Sequence, residues 1–156
     1  MTEVPFQDQI PNIHCFGCGA DNQMGLRIKS TWCGDGESIC LFQPLPHHAA
    51  GPSDVVNGGI IATVTDCHSV CTAIADGYKR AGRAIGEGKF IEYATGTLNI
   101  RYMAPAPLGP ILEFRATIIE VKQKTTTLTC VATADGKPIA KGKVIAVRVP
   151  DDWRDR

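Results

Sequence analysis

Apolar residues between Ile60 and Tyr78 recur at steps of three and four. Ile60, Val64, Cys67, Cys71, Ile74 and Tyr78 share one face at about 100° per residue. Ile61, Thr63 and Val70 widen that stripe to about half the circumference. Asn57 stands just ahead of Gly58 and Gly59, where its side-chain oxygen can accept a first-turn N–H. The pattern therefore predicts one long helix, opened at Asn57 and running to Tyr78. Its opposite face reads Ala62, Asp66, Ser69 and Ala73, and Asp66 and Asp76 are the formal charges between Gly58 and Gly77. A helix without a solvated face is expected to be covered on all sides. A carboxylate in such a stripe is costly unless it has partners or a task.

Elsewhere the period is two. Residues 26–32 and 38–42 alternate around Gly34-Asp35-Gly36, which predicts a hairpin. Residues 90–103 place Leu98, Ile100 and Tyr102 on one face and Thr95, Thr97, Asn99 and Arg101 on the other, before Ala104-Pro105-Ala106-Pro107 ends the run. Segments 111–121 and 125–134 are β-branched, and Asp135-Gly136 turns the chain into a last strand at 138–149. The order is a hairpin, one apolar helix, then four antiparallel strands. That implies an α+β domain, with an antiparallel sheet of five to six strands wrapped around the helix. The small-residue helix face is expected to look outward, toward a second copy. A single domain should span 1–156, with 1–13 as a loose arm or short lid and 150–156 as a tail. The 44–52 loop holds His47 and His48, read as solvated or as a metal or acid–base pair. The glycine-rich 79–89 connection holds Arg80 and Arg83, read as solvated or as a phosphate contact.

Composition narrows the function classes. The formal net charge of 156 residues is zero, which removes the electrostatic case for nucleic acid or an anionic membrane. No apolar run approaches the ~20 residues of a membrane span, and the acidic, proline-containing start does not resemble a signal peptide. Seven cysteines at irregular spacing then read as reduced thiols in a cytoplasmic protein. His14-Cys15-Phe16-Gly17-Cys18-Gly19 contains a Cys-x-x-Cys pair, but a zinc site needs about four ligands and no second such pair follows. A glycine-rich turn with buried thiols and no metal is the expectation. His14 precedes the pair, so the haem-attachment order is absent.

Three segments carry a family resemblance. Phe16-Gly17-Cys18-Gly19 with Asn22 and Gly25-Leu26 resembles the entry motif of one subgroup of hotdog-fold acyl-CoA thioesterases, the branch typified by the phenylacetate-degradation thioesterase. Asn57-Gly58-Gly59-Ile60-Ile61-Ala62 with Asp66 resembles the His-Gly-Gly…Asp segment that opens the family's central helix. The strand 98–106 resembles its third main strand. The resemblance spans roughly 15–149 and implies a hotdog fold, a homodimer or dimer of dimers, and an acyl-CoA substrate with no further cofactor.

It also implies roles. The Gly58 N–H would polarise the thioester carbonyl, a task suited to an unpaired N–H at the positive end of a helix dipole. Asp66, roughly 12 Å further along the axis, would serve the carbonyl bound by the partner copy, as general base or nucleophile. Thr95 aligns with a serine that holds the water. Asn57 stands where most relatives have histidine; it can cap and donate but cannot titrate. Gly59, His48, Asn99 and Arg83 complete the set as substrate contacts. His68, about 200° around the helix from Asp66, forms no local pair with it. Two rivals remain. One is an acyl-thioester dehydratase using His48 with Asp66, although its Gly-His-Phe-Pro pattern is missing. The other is a non-catalytic acyl-CoA binding module.

Overall fold

In the computed structural model, which describes residues 2–155, the elements run α1 (Phe6–Gln9), β1 (Ser30–Gly34), β2 (Glu37–Phe42), α2 (Gly58–Arg80), β3 (Tyr93–Tyr102), β4 (Leu112–Val121), β5 (Thr125–Ala134) and β6 (Lys137–Arg148). The six strands make one antiparallel sheet in the order β1-β2-β4-β5-β6-β3. Helix α2 lies across its inner face, packed on β3, β4, β5 and β6. This is the α+β arrangement expected from the sequence, with all six strands in one sheet.

Small inward residues set how closely helix and sheet approach. Ala116, Cys130, Ala132, Ala140 and Ala146 are buried on the sheet's inner face. At Gly142 a Cβ would stand 2.6 Å from Thr65 Cγ2. Alternation along β5 is complete, with every second residue from Thr126 to Ala134 buried. The β5–β6 turn has Asp135 and Gly136 both at positive φ, 49° and 77°, the twist that a two-residue hairpin requires.

Several expectations change. Residues 6–9 are no loose arm: Phe6 is buried against the Trp32 ring, and the buried Gln7 amide donates to Ser30 Oγ at 2.9 Å. The first strand begins at Ser30 rather than near 26, because the Leu26 and Ile28 N–H groups bond back to the Phe16 and Gly17 carbonyls. Ser69 and Ala73 do not look outward but are fully buried. The open stripe of α2 is instead Gly59, Ala62, Thr63, Asp66 and Val70. Helix α2 is also long and apolar enough to cross a membrane by length and composition. Thirteen of its residues are buried inside the domain, which accounts for that composition. The tail is tied down where Arg154 pairs with Glu92 and donates to the Pro11 carbonyl. The first residue of the expected arm and the last of the tail lie outside the described residues.

Candidate active site

The site begins with how α2 starts. Asn57 lies in an extended conformation, and its Oδ1 accepts the Gly59 N–H at 2.7 Å. The Asn57 carbonyl accepts Ile60 and Ile61 N–H. The Gly58 N–H is left with no acceptor among the described residues. One donor at the positive end of a 23-residue helix is thereby left for a ligand. The Asn57 N–H donates to the His48 carbonyl at 2.8 Å, which fixes the loop before the cap. Tyr102 at the end of β3 donates its hydroxyl to the Gly58 carbonyl at 2.6 Å, fixing the peptide that follows the one carrying the Gly58 N–H. Gly58 and Tyr102 line a cavity of about 360 Å³ with Val55, Ile61, Ala104 and Ile139.

Asp66 sits two turns along α2, half-buried on the open stripe. Thr95 Oγ1 donates to its Oδ1 at 2.5 Å. Burial pushes the Asp66 carboxyl above its ordinary range; the Thr95 hydrogen bond opposes that, and the nearby Cys18 sulfur adds to it. Thr95 reaches Asp66 because β3 is bulged between Thr95 and Thr97. At Gly96 a Cβ would meet Val147 Cγ2 at 2.6 Å, so glycine is required there. The bulge switches which parity faces the helix. Tyr93 and Thr95 point inward before it, and Leu98, Ile100 and Tyr102 after it. Simple alternation put Thr95 on the face opposite Leu98, so the sequence reading of that face is corrected.

Of the remaining candidates, Asn99 and Arg83 lie away from Gly58 and Asp66, the Gly59 N–H is already bonded, and His48 sits beside the helix start. Asn99 faces the outer side of the sheet, in a hollow of about 700 Å³ with Arg101, Lys141 and Lys143. Arg83 lies beyond the opposite end of α2, with Nη1 given to the Glu87 and Lys89 carbonyls and its guanidinium over the Tyr78 ring. The Gly59 N–H is used by the cap. His48 is buried rather than solvated. It stacks on Phe42, its Nδ1 accepts the Leu45 N–H at 3.0 Å, and burial lowers its pKa. It lines a second cavity of about 440 Å³ beside the helix start with Phe16, Met24 and Ile60.

Sequence reasoning missed two features, Tyr102 and the exposure of Cys15, and left the role of His68 open between a structural one and another. Tyr102 gave no signal beyond strand alternation. His68 is fully buried, with its ring nitrogens bonded to Ser30 Oγ at 2.8 Å and Ser38 Oγ at 3.2 Å, so its role is structural. Cys15 is exposed, not buried, and its sulfur meets that of Cys67 on α2. The helical cysteines had been absorbed into the apolar stripe.

Comparison with known proteins agrees with this architecture. The sequence model of the thioesterase superfamily matches residues 54–140, more than half the chain. A thioesterase superfamily protein of Shewanella loihica PV-4 is 30% identical, with a TM-score of 0.66 over 89% of this chain and 96% of that one. At lower identity, a phenylacetic acid degradation-related protein of Ralstonia eutropha JMP134 shares the fold (18% identity, TM-score 0.63, 80% of this chain and 86% of that one). So does a Streptococcus mutans UA159 protein solved bound to acetyl CoA (16%, 0.62, 78% and 88%). Among curated sequences, the acyl-coenzyme A thioesterase THEM5 of Mus musculus is 25% identical over 107 residues, which are 69% of this chain but only 38% of the mouse protein. A six-stranded sheet around one helix, an amide at the start of that helix with no acceptor among the described residues, and a family match over residues 54–140 lead to one assignment: the chain belongs to the thioesterase superfamily.

Proposed function

We propose that the protein hydrolyses an acyl-CoA thioester to the free acid and CoA, in sites shared between two copies of the chain. The observation that carries this is the Gly58 N–H, the one first-turn donor that the Asn57 cap leaves without an acceptor among the described residues. Attack on a thioester carbonyl builds negative charge on its oxygen, and a fixed N–H aimed at that oxygen lowers the barrier. The peptide that carries this donor is held through its Asn57 carbonyl by the Ile60 and Ile61 N–H groups, and Tyr102 fixes the peptide that follows. Binding of acetyl CoA by the Streptococcus mutans relative supports the substrate class.

The second group is Asp66. Eight residues of helix separate it from Gly58, roughly 12 Å, so it does not serve the carbonyl that its own Gly58 binds. It serves that of a partner copy. Two features of the single chain favour such a partner: β3 is an edge strand with Leu98, Tyr102 and Met103 exposed, and α2 has an open stripe that includes Asp66. As general base, Asp66 takes a proton from water as the water oxygen bonds to the carbonyl carbon. The tetrahedral intermediate then breaks its C–S bond and releases CoA as the thiolate, which is reprotonated. As nucleophile, it would instead form an anhydride that water opens. Thr95 orients the carboxylate in either route. Burial that raises the Asp66 pKa makes the carboxylate a stronger base.

The test is thiol release across short, long and aromatic acyl-CoAs, with Asp66→Asn alongside. At least a hundredfold loss of turnover is expected. Near-normal hydrolysis by that variant rejects the mechanism. Tight product binding by the unaltered protein without thiol release on any member of the panel rejects the activity. In single-turnover hydrolysis in ¹⁸O water, label on Asp66 identifies the nucleophilic route with water opening the anhydride at the Asp66 carbonyl, which the general-base route never produces.

A further inference from the structure

The first turn of the chain brings a second chemistry to α2, and the hydrolytic site does not use it. The sulfurs of Cys15, Cys18 and Cys67 all lie within 4.8 Å of one another, with Cys15 and Cys67 3.6 Å apart. Cys71 follows Cys67 by one helical turn and is buried, with its sulfur outside this close group of three. A tetrahedral zinc with bonds of about 2.3 Å places its sulfurs about 3.8 Å apart, close to the 3.6 Å between Cys15 and Cys67. The ligand order is Cys-x-x-Cys on a turn and Cys-x-x-x-Cys on a helix. The second pair is invisible to a search for two identical motifs.

The turn is built for this approach. The Gly19 N–H closes onto the Cys15 carbonyl at 2.8 Å, and a Cβ at Gly19 would stand 2.5 Å from Cys15 backbone atoms. At Gly17 a Cβ would fall 2.3 Å from Cys67 Sγ. Both bare positions let the cysteine turn press directly onto the helix. Ordinary core packing explains Cys18, Cys67 and Cys71, which are buried, but not Cys15, which is exposed and still directs its sulfur at Cys67.

We propose that Cys15, Cys18 and Cys67 bind one zinc ion per chain, with the Cys71 side chain turning in from one helical turn away as the fourth ligand, clamping the turn to α2 beside Asp66. Thiolate donors select zinc among abundant divalent ions, while magnesium and calcium prefer oxygen. With Cys71 turned in, four sulfurs close the coordination sphere, so the ion is structural and takes no part in hydrolysis.

Two measurements test it. Metal analysis of the full-length protein purified under reducing conditions should return one zinc per chain. If the protein emerges metal-free, titration with cobalt should develop a thiolate-to-cobalt charge-transfer band that saturates at one equivalent. Cys15→Ser, at the exposed position where refolding is least at risk, should lose at least tenfold in metal affinity. Cys33→Ser, whose thiol is near Arg115 and away from the cluster, should bind like the unaltered chain. Absence of both zinc and the cobalt band overturns the proposal. So does a band that survives in Cys15→Ser, or a disulfide within the cluster in the protein as isolated from reducing buffer.

Discussion

The proposed oxyanion donor rests on a single atom, the Gly58 amide hydrogen, and proline can remove it without removing the helix. Proline is favoured at the first helical position because the N–H there has no helical partner. Asn57 at φ −55° and ψ 132° already has the extended backbone that a residue before proline needs. A Cβ at Gly58 would contact the Tyr102 ring at 3.4 Å, an ordinary separation. Gly58→Pro is therefore expected to lower turnover by about a hundredfold to a thousandfold, in the range seen when one oxyanion donor is lost. Gly58→Ala, which keeps the N–H, should retain most activity. Unchanged melting temperatures in both would assign the loss to the amide, and equal activities would remove it from the mechanism. At Thr95 the sign differs. Its hydrogen bond holds the Asp66 pKa down against burial, so Thr95→Val raises that pKa further. The acidic limb of the pH–rate profile should then move to higher pH. A fixed limb would show that Thr95 does not set the ionisation of the base.

At the scale of elements, α2 was legible from its 3.6-residue period and its cap, and the strands from alternation. Two things were not. The β3 bulge at Gly96 adds one residue, and a periodicity argument carries its face assignment straight through such an insertion. The expected outward face kept Ala62 and Asp66 but lost Ser69 and Ala73 to the core, because small residues serve close sheet packing as well as a subunit contact. His68 joins α1, β1, β2 and α2 through one polar network. Gln7 bonds Ser30, Ser30 and Ser38 bond the imidazole, and Ser38 bonds Thr72 at 2.6 Å. Burial lowers the His68 pKa from 6.5 to about 4. The unfolded chain therefore binds a proton that the folded one does not, in the window between those values. Stability from this group is complete above pH 6.5 and is lost as pH falls toward about 4, by about 3 kcal/mol at ~1.4 kcal/mol per unit. Urea midpoints followed from pH 7 to pH 4 should fall accordingly. The slope should flatten in a His68→Gln variant that still folds; an unchanged slope would place the acid sensitivity elsewhere.

For the whole molecule, the position of Asp66 was legible as a misplaced charge, while its partner group was not, since a linear pattern carries no symmetry axis. Helix geometry alone states the requirement: two groups about 12 Å apart on one helix act on one carbonyl only when they come from different copies. Mixing makes that measurable. Gly58→Pro and Asp66→Asn each inactivate both sites of a homodimer in different ways. In a mixed dimer, one site receives the intact amide of one chain and the intact aspartate of the other, while the second site receives both lesions. Random assortment at equal amounts makes about half of the dimers mixed, each with one good site of two, by the pairing rule of a two-fold interface. Co-expression of the two variants should therefore restore about a quarter of the parental turnover, far above either variant alone. If each copy completes its own site, no combination of the two lesions recovers activity, and the shared-site geometry fails even if the protein proves dimeric.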